Sequence, residues 1–261
     1  MEKPKILNQN QKQSQNKFNV DYRIGFNNLL PDGSLALPGF MAHVQEASMF
    51  HTASIPGAFD YYDEMKWVWV LTHWQVEVYD YPKMSDVVNI STWPVRFKGY
   101  FGERGFEAKD ASGRAMLSAN SNWILLDRGS YKPVRPTEHI ASKYGENFPF
   151  LLEKDFSLPK HDGFTPLSSH SYTATRRDID TNDHVNNVKY LEWVYCYIPD
   201  EIYHNYRAKS LKVAYKKETL LGDHVEIKLF QHKHGNDIEL FAIIEKDGQI
   251  ATEIYSLWQA V

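Results

Sequence analysis

Between Asp178 and Trp193 the chain reads DIDTNDHVNNVKYLEW, and three aspartates, three asparagines and a histidine fall within the first ten of these residues. Asp180, Asn182 and His184 alternate, so an extended lead-in would set a carboxylate, an amide and an imidazole on one side. Asn186 and Asn187 follow where an apolar helical period begins, although asparagine is a poor helix former. Such groups beside the free N–H groups of a helix start suit one task, holding a carbonyl oxygen while it gains negative charge. The plainer reading is a helix start alone: Thr181, Asn182 or Asp183 as N-cap, Asp178 and Asp180 favouring the positive end of the helix, and His184 without a chemical duty. One cap suffices for a helix, so the concentration of polar groups favours a site.

The elements that position this stretch follow from an internal repeat. WQVEVYDYPKMSDVVNI from Trp74 matches LKVAYKKETLLGDHVEI from Leu211, pairing Val76 with Val213, Asp86 with Asp223, Val88 with Val225 and Ile90 with Ile227 at a constant offset of 137 residues. Further on, Gly113 meets Gly248 and Trp123 meets Trp258 at an offset of 135, a difference that one loop indel explains. These segments alternate apolar residues, are rich in Val, Ile, Tyr and Trp, and carry the turn sequences DASG and EKDG, which predicts antiparallel strands joined by hairpins. One helical pattern precedes each strand set: LPGFMAHVQEASMFHTA in the first half and HVNNVKYLEWVYCYI in the second, the latter with Val185, Val188, Leu191, Val194 and Ile198 at spacings of three or four and Pro199 as a stop. An α+β architecture follows, each half a helix packed on a curled antiparallel sheet. Residues 137–169 hold prolines, glycines and no sustained period, and read as a linker; residues 1–17 read as a polar tail.

Composition narrows the function classes. A chain of 261 residues, 43% apolar, buries a sizeable core. Its formal charge of −4 provides no global basic field, which argues against nucleic acid as a partner. The single cysteine, Cys196, cannot form an internal disulfide and fits a reducing cytoplasm. No CxxC or HExxH spacing suggests a metal, and no GxSxG, GxxxxGK[ST] or GxGxxG motif suggests a serine nucleophile or a nucleotide, so no cofactor is expected. No apolar run approaches the roughly eighteen residues of a membrane span, and the N-terminal tail has neither a signal core nor the Arg/Ser bias of a transit peptide.

The stretch RRDIDTNDHVNNVKYLEW resembles the signature of the acyl-ACP thioesterases of bacteria and plant plastids, Asp-x-Asn-x-His-Val-Asn-Asn-x-x-Tyr, in all seven defined positions. WVWVLTHWQVEVYDYPKMSDVVNISTW (Trp67 to Trp93) and VAYKKETLLGD (Val213 to Asp223) resemble two further blocks of that family, and the likeness spans about residues 18 to 261. The resemblance implies a tandem of two hotdog modules, 18–136 and 170–261, and hydrolysis of fatty acyl thioesters carried by the phosphopantetheine arm of acyl carrier protein. It places catalytic roles on Asp180, Asn182, His184 and Glu218. Glu218 would act as general base on a water, His184 and Asn182 would orient the reactants, and the helix start near Asn186 would hold the oxyanion. Asp180 would either tune His184 or attack directly to form an anhydride.

Where the family has a cysteine after the glutamate, this chain has Thr219, a far weaker nucleophile, which counts against a cysteine scheme. Cys196 lies too far along the helix to replace it. Without the resemblance, Glu218 reads as an exposed strand carboxylate paired with Lys216 or Lys217. The first module of the family supplies most of the acyl tunnel, which points to Phe40, Met41, Val44, Met49 and Phe50. An acidic carrier protein calls for basic docking residues, with Arg176, Arg177, Lys216 and Lys217 as candidates and Arg96, Lys98 and Arg104 as first-half candidates. Hotdog modules also serve acyl-CoA thioesterases and non-catalytic acyl-binding proteins. Two modules in one chain make a monomer feasible, and exposed sheet edges leave a homodimer open.

Overall fold

The structure, a computed structural model, describes residues 17–145 and 147–261, so all of the expected tail except Lys17 lies outside the described residues. The first half runs β1 (Phe18–Arg23), α1 (Leu37–Ser54), α2 (Ala58–Met65), β2 (Trp67–Val78), β3 (Val87–Lys98), β4 (Phe101–Lys109) and β5 (Ala115–Asp127). After α3 (Glu138–Lys143) the second half repeats the plan with β6 (Thr165–Thr173), α4 (Asn187–Tyr195), α5 (Asp200–Asn205), β7 (Tyr206–Tyr215), β8 (His224–His234), β9 (Asp237–Lys246) and β10 (Gln249–Ala260).

All ten strands form one antiparallel sheet in the order β1-β3-β4-β5-β2-β7-β10-β9-β8-β6, a palindrome of two five-stranded halves. The halves meet where β2 pairs with β7, Trp74 opposite Val213 and Gln75 opposite Lys212. Gln75 and Lys212 are also counterparts at the 137-residue offset, so a pseudo-two-fold axis passes between them.

Helix α1 buries Leu37, Phe40, Met41, Val44, Ala47, Ser48 and His51, one stripe at spacings of three and four, against β1 and β3. Each large apolar side chain sealed there stabilises the fold by about 1.5–3 kcal/mol. The helix is oriented by Pro38 in its first turn and stops ahead of Pro56. It also packs on α4, so one continuous core runs from Phe40, Trp74 and Phe106 in the first module to Ile227, Ile244 and Trp258 in the second. No helix among the described residues is long and apolar enough to cross a membrane.

The expected linker is a structured strap. Its start forms α3, capped by Thr137, and residues 149–155 cross the outer face of the first module. There the Trp93 indole donates to the Pro149 carbonyl at 3.1 Å, Asn120 to that of Leu152 at 3.2 Å and Gln75 to that of Glu153 at 2.8 Å. β6 begins at Thr165, five residues before the expected second module. Pro166 hid it in the sequence, and proline is tolerated because β6 is the sheet's outer edge, with a register shift between Pro166 and Ser168.

Candidate active site

Residues 178–186 do not form the extended lead-in that their alternation predicts. They fold into a closed loop: Asp180 N–H donates to the His184 carbonyl at 2.8 Å, Asp183 N–H to that of Asp180 at 3.1 Å and Asn186 N–H to that of Asp178 at 2.8 Å. Asp183 takes a left-handed φ of 62°, and the Asp180 carboxylate accepts the Asn182 N–H at 2.8 Å, an Asx turn. The helix cap is Asn186, not Thr181, Asn182 or Asp183. Its Oδ1 accepts the Val188 N–H at 2.9 Å, so Asn187 is the first helical residue.

Asp178 is not a dipole partner of the helix but the root of the loop. Only 5% exposed, its carboxylate accepts from the Thr175 N–H and hydroxyl, each at 2.7 Å, the Tyr172 phenol at 3.1 Å and the Trp193 indole at 3.2 Å. Burial opposes its charge, yet these donors hold the carboxyl below the ordinary aspartate range.

Glu218 lies three residues beyond the end of β7 rather than on the strand, because Lys216 and Lys217 N–H both donate to the Ala251 carbonyl and turn the chain out of the sheet. The Val185 N–H then donates to the Thr219 carbonyl at 2.9 Å and ties this segment to the 178–186 loop. As a result His184 Nε2 and Glu218 Oε2 stand 3.2 Å apart, with side chains 29% and 47% exposed. Glu218 pairs with neither neighbouring lysine: Lys216 pairs with Glu253, and Lys217 donates to Gln249 at 2.9 Å. Among the described residues Glu218 is the only carboxylate within 4.0 Å of the His184 ring nitrogens, so Asp180 is not paired with the imidazole. Asn182 is exposed at the loop tip.

Thr219 is fully buried, its hydroxyl out of a substrate's reach, and Cys196 is the exposed C-cap of α4. No group of three or more potential metal ligands occurs among the described residues.

The proposed tunnel residues divide. Phe40, Met41 and Val44 lie on the buried stripe of α1, while Met49 and Phe50, at the opposite helical phase, are 47% and 43% exposed. Of the docking candidates, Arg176 and Arg177 are exposed beside the loop and Lys98 is exposed on β3. Arg96 is held in a bidentate pair with Glu103, and Lys216 is tied up by Glu253. Arg104 points inward from β4: its guanidinium donates to His51 at 2.9 Å and Thr92 at 3.2 Å, and burial pushes its pKa down to about 10. Burial and that guanidinium drive the His51 pKa down to about 3, so the ring is neutral.

Two groups at the site were not read from the sequence. Gln45 of α1 reaches across from the first module, its Nε2 3.4 Å from Asn186 Oδ1, and the Tyr215 phenol donates to the Asn187 carbonyl at 2.9 Å. A glutamine 141 residues from its partner leaves no local signal.

Comparison with known proteins identifies the family. The profile of the acyl-ACP thioesterase N-terminal domain matches residues 15–144 and that of the C-terminal domain residues 164–260. The chloroplastic palmitoyl-acyl carrier protein thioesterase of Arabidopsis thaliana is 30% identical over 214 residues, 77% of this chain and 52% of the relative. The oleoyl-acyl carrier protein thioesterase 2 of the same plant is 32% identical over 170 residues, 61% of this chain and 46% of the relative, so the chain spans about half the length of these relatives. Among solved structures, the 12:0-ACP thioesterase from Umbellularia californica superposes with a TM-score of 0.83 at 21% identity, covering 95% of this chain and 99% of that one. With both domain profiles matched in order, one on each half of a pseudo-symmetric sheet, the chain belongs to the acyl-ACP thioesterase family.

Proposed function

We propose that this chain hydrolyses the thioester of fatty acyl groups borne by the phosphopantetheine arm of an acyl carrier protein, releasing the free acid and ending elongation. The observation that carries the reading is the 3.2 Å approach of His184 Nε2 to Glu218 Oε2 at the mouth of α4. His184 Nε2 stands at contact distance from one carboxylate oxygen, and Oε1, without a hydrogen-bond partner among the described residues, is left to accept a proton from water. As that proton moves to Glu218, the water oxygen bonds to the acyl carbon and the carbonyl electron pair moves onto oxygen. The Asn187 N–H, left over once Asn186, Val188 and Lys189 have donated to protein acceptors, and the Asn186 amide N–H hold that oxyanion. Collapse re-forms the carbonyl and breaks the C–S bond, and the thiolate takes the proton back from Glu218. A thiolate leaves readily, so water activated by one carboxylate suffices without Thr219. Asp180, engaged with the Asn182 N–H, shapes the loop rather than attacking. Arg176 and Arg177, exposed beside the loop, are the docking cations for an acidic carrier.

The test is incubation with a mixed acyl-ACP pool and identification of the freed acids by mass spectrometry, with Glu218→Gln as control. Free acids from the wild type alone are expected, and raised salt should slow the reaction. Faster release of the same acyl group from CoA would move the substrate to CoA, and no release from either would leave an acyl-binding protein.

A further inference from the structure

We infer that Gln45 is a substrate-binding residue that reads the carrier arm: its side-chain carbonyl accepts a hydrogen bond from the amide N–H of a cysteamine-type thiol next to the scissile thioester. The inference rests on the hydrolase reading above and extends it to a residue of the other module. Asn186 caps α4 through Oδ1, which accepts the Val188 N–H at 2.9 Å, and this fixes which end of the Asn186 amide is oxygen. Gln45 approaches that oxygen at 3.4 Å and must present Nε2, since its carbonyl there would oppose a second oxygen. Gln45 Oε1 is thereby aimed away from the cap. It is buried and has no hydrogen-bond donor among the described residues.

A buried acceptor left unsatisfied is costly, and native structures keep few of them without a use. Oε1 is about 2.2 Å from its own Nε2 by amide geometry, within one side-chain width of the Asn186 amide that faces the developing oxyanion. In a thioester of a cysteamine-type arm, two methylene groups separate the sulfur from an amide N–H, which places that donor within about 4–5 Å of the reacting carbonyl. The acyl chain itself offers no donor at all. Gln45 therefore discriminates by the thiol half of the substrate and not by the length of the acid.

The experiment compares two thioesters of one short acyl group, one with N-acetylcysteamine and one with a plain alkanethiol of similar length, on wild type and Gln45→Leu. The readout is the ratio of kcat/KM for the amide-bearing thioester to that for the amide-free one. A ratio that falls about tenfold in Gln45→Leu, mostly through KM, supports the inference. A general loss of packing lowers both rates together and does not move the ratio, so an unchanged ratio overturns it even if the variant is poorly folded. A wild type inert on both thioesters or active with an unchanged ratio overturns the inference alone, whereas a wild type that also releases no acid from acyl-ACP or acyl-CoA removes the hydrolase reading and the inference with it.

Discussion

The loops 28–36 and 178–186 are the same piece of backbone with different chemistry. Leu30 N–H donates to the Ser34 carbonyl as Asp180 does to that of His184, Gly33 to that of Leu30 as Asp183 does to that of Asp180, and Ala36 to that of Asn28 as Asn186 does to that of Asp178. Gly33 and Asp183 share the left-handed turn, with φ of 80° and 62°. Leu35 N–H meets the Pro82 carbonyl as Val185 meets that of Thr219, so Tyr81 stands where Glu218 does. Apart from the left-handed Asn28, with φ of 64° where Asp178 has no positive φ, side chains distinguish the two. In the first module buried Leu30, buried Ser34 and Ala36 occupy the places of Asp180, His184 and Asn186, and Tyr81 is sealed by donating its phenol to the Ala208 carbonyl at 2.7 Å. The scaffold sets the geometry of a helix mouth, and its polar groups are added residue by residue.

The sharpest way to break the comparison is to exchange chemistry at matched positions. Glu218→Gln or His184→Ala should lower kcat by a hundredfold or more, within the range for loss of a general base. Tyr81→Phe and Thr219→Ala should stay within a few-fold of wild type; a dead Thr219→Ala with an intact fold would reverse the assignment of the nucleophile.

Next in size is the root of each loop. Asp178 is charged and buried where Asn28 is neutral, so Asp178→Ala should cost about 2–3 kcal/mol in urea unfolding. Because the folded carboxyl titrates below its unfolded value, its contribution is fully present above about pH 5 and is lost as the pH falls through the folded value. The stability gap between wild type and Asp178→Asn should narrow on acidification; a gap independent of pH between 7 and 3 would count against the anchor.

The smallest effect belongs to the tip of the first-module loop, where Asp32 pairs with Arg207 of β7 at 2.7 Å. Slight burial opposes its charge, but the Ser34 hydroxyl and N–H and Arg207 bring Asp32 to about 2. Its side chain is 48% exposed, and solvent screens the pair, so Asp32→Asn should cost no more than about 1 kcal/mol.

Periodicity carried much of the fold. The two helices and the strand repeat were legible because a helix and a half-buried strand each impose a spacing on apolar residues. The 178–186 loop was not, since alternation describes an extended chain equally well until one knows that Asp183 turns left-handed and Asp180 folds back on the Asn182 N–H. The loop repeat escaped notice for a related reason. It runs at an offset of 150 residues, against 137 in the strands, and shares few residue types, so only its hydrogen bonds reveal it. Glu218 was legible only through family resemblance, because nothing local ties it to His184. Gln45 was invisible because its relation to Asn186 is created by α1 packing on α4.

The seam between β2 and β7 joins the two halves within a single polypeptide, and that fact has a consequence for their histories. In a symmetric pair of separate subunits every substitution is made twice, so a leucine that improves packing at one mouth erases the acid at the other. A chain holding both copies is released from this doubling. One half is free to trade its reactive groups for solidity while the other keeps them.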